Sequence, residues 1–144
     1  MLLARARLLV IVLWAGSLWT VGYLVAPTLF GTLSDRVLAG TIAGSMFRHE
    51  AWLSLACGAL VLAMSGGLEG KARKQVRWLA VAMLACLGIG YFGLQPLMAA
   101  LKAEAPGGVM DAAARSRFGM LHGVSAVFYL AQSLLAAVLV IKNR

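Results

Sequence analysis

The feature that most constrains this chain is its apolar run from Leu8 to Phe30, unbroken by any charged residue. At 1.5 Å per residue such a run makes a helix of about 35 Å, enough to cross a hydrocarbon layer of about 30 Å. It follows Arg5 and Arg7, so a secretory leader is the alternative. The run continues past the length of a leader's apolar core, and no A-x-A site follows that core. The expectation is a retained helix, bent or ended near Pro27.

Three further apolar stretches follow, giving spans at about 8–30, 50–66, 78–101 and 118–141 in one membrane domain covering residues 1–144. The composition agrees. Of 144 residues 62% are hydrophobic and 12% charged, half the charge of an ordinary soluble domain. Four crossings with short loops use nearly the whole length, which leaves no room for a soluble catalytic domain. The predicted fold is an all-α four-transmembrane-helix bundle with a short interfacial helix between helices one and two. That interfacial segment, Gly31 to Glu50, has rough helical spacing at Leu33, Val37, Ile42, Met46 and Phe47. It reads either as a helix lying at the interface or as an extension of helix two.

The net charge of +8 would raise the question of nucleic acid in a soluble protein. Here the basic residues cluster at segment ends, which suits the positive-inside rule and excludes a nucleic-acid surface. Arg5, Arg7, Lys71, Arg73, Lys74, Arg77, Lys142 and Arg144 fall on one side, eight in all, and Arg36, Arg48, Lys102, Arg115 and Arg117, five in all, on the other. The excess predicts a multi-pass protein of the bacterial inner membrane with both termini cytoplasmic. Trp52 and Trp78 sit near span ends, as interfacial anchors do; Trp14 and Trp19 lie within helix one. Cys57 and Cys86 show no CxxC spacing and read as small buried hydrophobes.

Asp, Glu, Lys and Arg are absent from the interiors of the four spans so drawn. This argues against a carrier built on a buried carboxylate and against paired acids for catalysis. No P-loop, HExxH or G-x-S-x-G occurs, so the enzyme reading has little to stand on. A polar seam remains. On helix four Ser125, Tyr129 and Gln132 share a face with His122; Tyr91 and Gln95 share one on helix three; Ser17 and Thr20 are three apart on helix one. These groups either bond between helices or line a cavity.

His49 is read at the outer start of helix two, and His122 five residues beyond Arg117, about 7 Å along a helix. Two histidines on neighbouring helices could ligate haem or copper, although structural zinc takes four ligands. With Arg48, Arg117 and Gln95 they make a candidate site at the periplasmic face. Three functions compete: a non-catalytic binding or accessory protein, a haem- or copper-binding redox protein, and a small oligomeric channel or transporter. The partners implied are the lipid bilayer and either further copies of the chain or a membrane complex.

Several segments carry a family resemblance. Trp14-Ala-Gly-Ser-Leu-Trp19 and Ala26-Pro27-Thr-Leu-Phe30 open the chain, and Ala39-Gly40-Thr-Ile-Ala43-Gly44-Ser-Met-Phe47 follows. Leu94-Gln95-Pro96 lies in helix three and Arg117-Phe118-Gly-Met-Leu121-His122-Gly123-Val-Ser125 opens helix four. In this order they resemble the bacterial domain of unknown function 4149, related to eukaryotic transmembrane protein 205. The resemblance spans nearly the whole chain and implies a four-helix membrane protein; it implies no activity. The second loop and the C-terminus carry no motif of the family.

Overall fold

A computed structural model describes residues 2–105 and 109–143. The predicted break at Pro106-Gly107-Gly108 and the terminal Arg144 lie outside the described residues. Among the described residues six α-helices follow one another: α1 (Leu2–Trp19), α2 (Ala26–Thr32), α3 (Arg36–Met64), α4 (Gly70–Leu87), α5 (Gln95–Ala103) and α6 (Ala112–Lys142). A π turn, Thr20–Val25, joins α1 to α2, and a second, Gly88–Gly93, leads from α4 towards α5. The helices therefore form four rods: Leu2–Thr32 (span 1), Arg36–Gly67 (span 2), Gly70–Ala103 (span 3) and Ala112–Lys142 (span 4). Each is long and apolar enough to cross a membrane. The described residues contain no strand.

Local chemistry sets the ends. Asp35 caps α3 by accepting from the N–H groups of Val37 at 2.9 Å and Leu38 at 3.0 Å. Asp111 caps α6 by accepting from Ala114 N–H at 2.7 Å. Both satisfy donors that a helix start leaves without partners. Gly70, at φ +53°, lets the chain reverse into α4.

The alternatives for Gly31 to Glu50 resolve as an extension of helix two: α3 is one continuous helix from Arg36 to Met64. Its first half is rich in Ala, Gly and Thr, which lowers hydropathy without breaking the helix. Ala39 and Ala43 are buried there, where α2 packs on α3.

Each span packs on the next, and span 4 returns to span 1, so the rods run up and down around a ring. The core lies in the half that carries both termini. Ile11, Trp14 and Leu18 meet Cys57, Val61, Val76, Ala80, Met83, Ala136 and Leu139 there. Arg7, buried among them, donates through Nε to Asn143 Oδ1 at 2.6 Å and ties the two ends of the chain together. The far half is built differently. No α6 residue before Gln132 is buried, α2 buries none, and α5 buries only Met98. There α2 packs on α3 and α5 on α6, with sparse packing between the two pairs among the described residues. The bundle is tightly packed at the terminal end and loosely packed at the far end, where Phe47 of α3 meets the Tyr129 ring of α6 at 5.3 Å between centroids and Trp52 meets Phe92 at 5.6 Å. Leu9, Leu24, Val127 and Leu134 lie exposed on the outside, as lipid requires and water would not allow.

Candidate functional site

Glu50 stands fourteen residues after Arg36 and fourteen before Met64, at the middle of α3. Three contacts set the register of span 1 against span 2. Leu3 lies against Gly67, Trp14 bonds Ser54, and Phe30 lies beside Gly40. Interpolation puts Glu50 level with Leu18 to Thr20, the centre of the apolar run from residue 8 to residue 30. Glu50 is thus at the middle of the apolar rods, and it is only 4% exposed. This corrects two readings of the sequence: a span interior does hold an acid, and residues 48–50 are not at the outer start of helix two. Hydropathy placed the boundary at the charged triplet Arg48-His49-Glu50, whereas the helix runs through it.

A short chain of donors ends on this carboxyl. Trp14 Nε1 donates to Ser54 Oγ at 2.7 Å, and Ser54 Oγ donates to Glu50 Oε1 at 2.6 Å. Gln132 Nε2 donates to the same Ser54 oxygen at 3.4 Å from the diagonal helix. With two donors on its oxygen, the hydroxyl proton is left to point at the carboxyl, and such chains strengthen each member. Trp14, Ser54 and Gln132 are all buried. Oε2 takes no side-chain hydrogen bond among the described residues. No fully buried side-chain oxygen there lacks a partner, so Oε2 keeps the small exposure that Glu50 retains.

Directly beside this cluster, on its far-end side, spans 1 and 3 both widen into π turns. In span 1 the Tyr129 hydroxyl donates to Leu18 C=O at 2.6 Å and lies against Gly22 N–H. Those two backbone groups would bond each other in an unbroken α-helix; the phenol occupies the gap. A Cβ on Gly22 would strike the Tyr129 ring, so the close approach requires glycine. In span 3 Leu94 N–H bonds Ile89 C=O, five residues back, and Ser125 Oγ donates to the released Gly90 C=O at 2.8 Å. A Cβ on Gly90 would lie 2.9 Å from Phe128 Cβ. Hydroxyls from span 4 thus satisfy both openings. The sequence repeats here: Gly22-Tyr23 precedes Pro27, and Gly90-Tyr91 precedes Pro96. π turns inside α-helices concentrate at functional sites.

The other residues singled out from the sequence fall as follows. Ser17 donates back to Trp14 C=O on its own helix at 2.9 Å, and Thr20 is exposed. Tyr91 is half-buried, with Arg48 within electrostatic reach of it. Gln95, half-buried, begins α5. Arg48 and Arg117 are exposed. His49 is exposed, and its Nδ1 lies 2.8 Å from Ser45 C=O. A carbonyl only accepts, so Nδ1 carries the proton. His122 is exposed and stacks on Phe118 at 6.2 Å between ring centroids, with Lys102 Nζ 5.1 Å from the centre of the same ring. Ser54 and Gln132 are level, His49 is five residues before the one and His122 ten before the other. The histidines therefore differ in depth by about 7 Å, on helices that face each other diagonally. Among the described residues no three of His, Cys, Asp and Glu are grouped as a metal would need. Cys57 and Cys86 are free thiols.

Read from the sequence, Glu50 is only a charge bordering the outer start of helix two, beside Arg48 and His49, and that reading does not join it to Ser54 or Trp14. One pointer was present: Glu50 and Ser54 are four apart and so lie on one helix face.

The matched family model covers residues 9–106, more than half of the chain. It takes in span 1 from residue 9 onward, spans 2 and 3, the Glu50–Ser54 pair and both Gly-Tyr segments; span 4, with its hydroxyls, follows the matched stretch. No curated protein and no solved structure matches the chain. The four apolar rods and this match together place the chain in the family of the domain of unknown function DUF4149, as an integral membrane protein.

Proposed function

We propose that the chain is a non-catalytic binding protein of the bacterial inner membrane, whose site is the Glu50 carboxyl and whose ligand is cationic, a proton in the simplest case. The termini are cytoplasmic, as the Lys/Arg excess at that end favours. The ligand arrives from the periplasmic side, through the loosely packed far half, past Arg48, Tyr91 and Gln95. The observation that carries this reading is a carboxyl at the middle of the apolar rods with Ser54, and no cation, as its hydrogen-bond partner among the described residues. An unpaired carboxylate in hydrocarbon is costly, and acids placed there are by default functional. Trp14, Ser54 and Gln132 position the carboxyl; Glu50 alone carries the charge that changes.

The loosely packed far half and tightly packed terminal half support a second reading, a carrier that opens at the far end, with the two π turns as the points where spans 1 and 3 flex.

Labelling with a hydrophobic carbodiimide, which attacks protonated carboxyls in membranes, tests the proposal on purified protein. One adduct per chain at Glu50, absent in Glu50→Gln and suppressed as pH rises, is the expected result. An adduct of equal yield in Glu50→Gln contradicts it. Sodium or tetraphenylphosphonium protecting Glu50 would identify a ligand beyond the proton.

A further inference from the structure

We infer that the first three turns of α4 form a binding site for one anionic phospholipid, with the headgroup on Lys71, Lys74 and Arg77 and an acyl chain along Trp78 and Val81. These five residues lie together on one exposed face of α4, a shallow surface groove lined by that helix alone, at the terminal end of the bundle. Lys71, Lys74, Trp78 and Val81 recur at three- and four-residue steps, hence on one helix face. The buried residues of α4 lie on another face: Val76, Ala80, Met83 and Leu87. The groove runs from cationic to apolar along the helix, in the order in which a phospholipid presents phosphate and then hydrocarbon. Trp78, 69% exposed, marks the boundary at which indole rings prefer to sit.

The electrostatics there are one-sided. Among the described residues no carboxylate lines the groove. The nearest acid in sequence, Glu69, makes no capping bond to α4, and the first turn of α4 holds no acid. A helix start is the positive end of the peptide dipoles, where added cations are unfavourable. One basic residue is already engaged: Arg73 donates through Nε to Leu68 C=O at 2.6 Å and through its guanidinium to Gly66 C=O at 3.1 Å, holding the preceding turn. Lys71, Lys74 and Arg77 are exposed and face outward beside it. An anion in the groove turns an unfavourable cluster into a favourable one. Free phosphate would satisfy the charges but leave Trp78 and Val81 uncovered; a phospholipid satisfies both.

Native mass spectrometry and lipid titration of the full chain in phosphatidylcholine nanodiscs doped with phosphatidylglycerol test this. The wild type should retain one phosphatidylglycerol in preference to phosphatidylcholine. Taking about fivefold per basic residue near an anionic headgroup, Lys71→Ala/Lys74→Ala/Arg77→Ala should weaken retention about a hundredfold. Arg115→Ala/Arg117→Ala, at the far end, should leave it unchanged. Lys74→Ala alone, which removes no packed group, should cost about fivefold and serves if the triple variant fails to fold. Retention unchanged in Lys74→Ala, or equally reduced in Arg115→Ala/Arg117→Ala, overturns the site. Displacement of the lipid by inorganic phosphate at matched ionic strength overturns the lipid as its ligand.

Discussion

The hydroxyl of Tyr129 donates to the carbonyl of Leu18 at 2.6 Å, at the place where span 1 widens from an α-helix into a π turn. One side chain of span 4 thereby seals an opened backbone near the middle of the apolar rods. Tyr129→Phe should destabilise the protein by about 1 kcal/mol, the usual worth of a hydrogen bond between membrane helices. Gly22→Ala should cost about 1–3 kcal/mol, because the added methyl meets the Tyr129 ring. Unfolding in mixed detergent micelles checks both. A Gly22→Ala protein as stable as the parent would show that the ring does not sit against this backbone.

Ser54 is the junction of the donor chain. Ser54→Ala leaves the Trp14 N–H, the Gln132 amide and a Glu50 oxygen without their partner in a buried place. A loss of about 1–3 kcal/mol is expected, with a shift in Trp14 emission. Ser54→Thr keeps the hydroxyl and should retain more of the stability. Equal losses in the two variants would mean that packing, and not hydrogen bonding, decides this position.

His49 and His122 are both exposed, and their partners are a backbone carbonyl and an aromatic ring. His49→Ala and His122→Ala should each change stability by no more than about 0.5 kcal/mol. Quantified membrane abundance of the two variants, matched to the parent, is the expected readout. A collapse in either would give that histidine a packing role that its surroundings do not suggest.

The proposed orientation rests on the Lys/Arg count. Reporter fusions after Lys74 and at the C-terminus should report cytoplasm, and one near Gly107 periplasm. A fusion near Gly107 that behaves as cytoplasmic would reverse the topology and put the loosely packed far half on the cytoplasmic side.

The fold was legible because four apolar runs of membrane length leave few arrangements open. Less legible was where span 2 begins. Residues 36 to 49 are helical but of middling hydropathy, and Arg48-His49-Glu50 looks like a boundary when read along the chain. What makes Glu50 an interior residue is its neighbourhood: its partner Ser54 bonds Trp14 and Gln132, which are forty or more positions from Ser54 in sequence. Helical spacing groups Ser125, Tyr129 and Gln132 on one face, and each reaches another span; Thr20 stays outside. The π turns were hidden for a different reason. Gly-Tyr followed by Pro reads as a weak point in a helix, and only the hydroxyls from span 4 reveal that the openings are filled.

The central claim is that Glu50 is a carboxyl at mid-membrane that exchanges a proton. The most direct test is the pH-induced infrared difference spectrum of the protein in lipid. The account predicts a carboxylic C=O band, appearing on acidification, at the frequency of a carboxyl in an apolar setting. It should shift in Ser54→Ala, which removes the Oε1 bond, and vanish in Glu50→Gln. The same band undiminished in Glu50→Gln would assign the proton to another group and contradict the account.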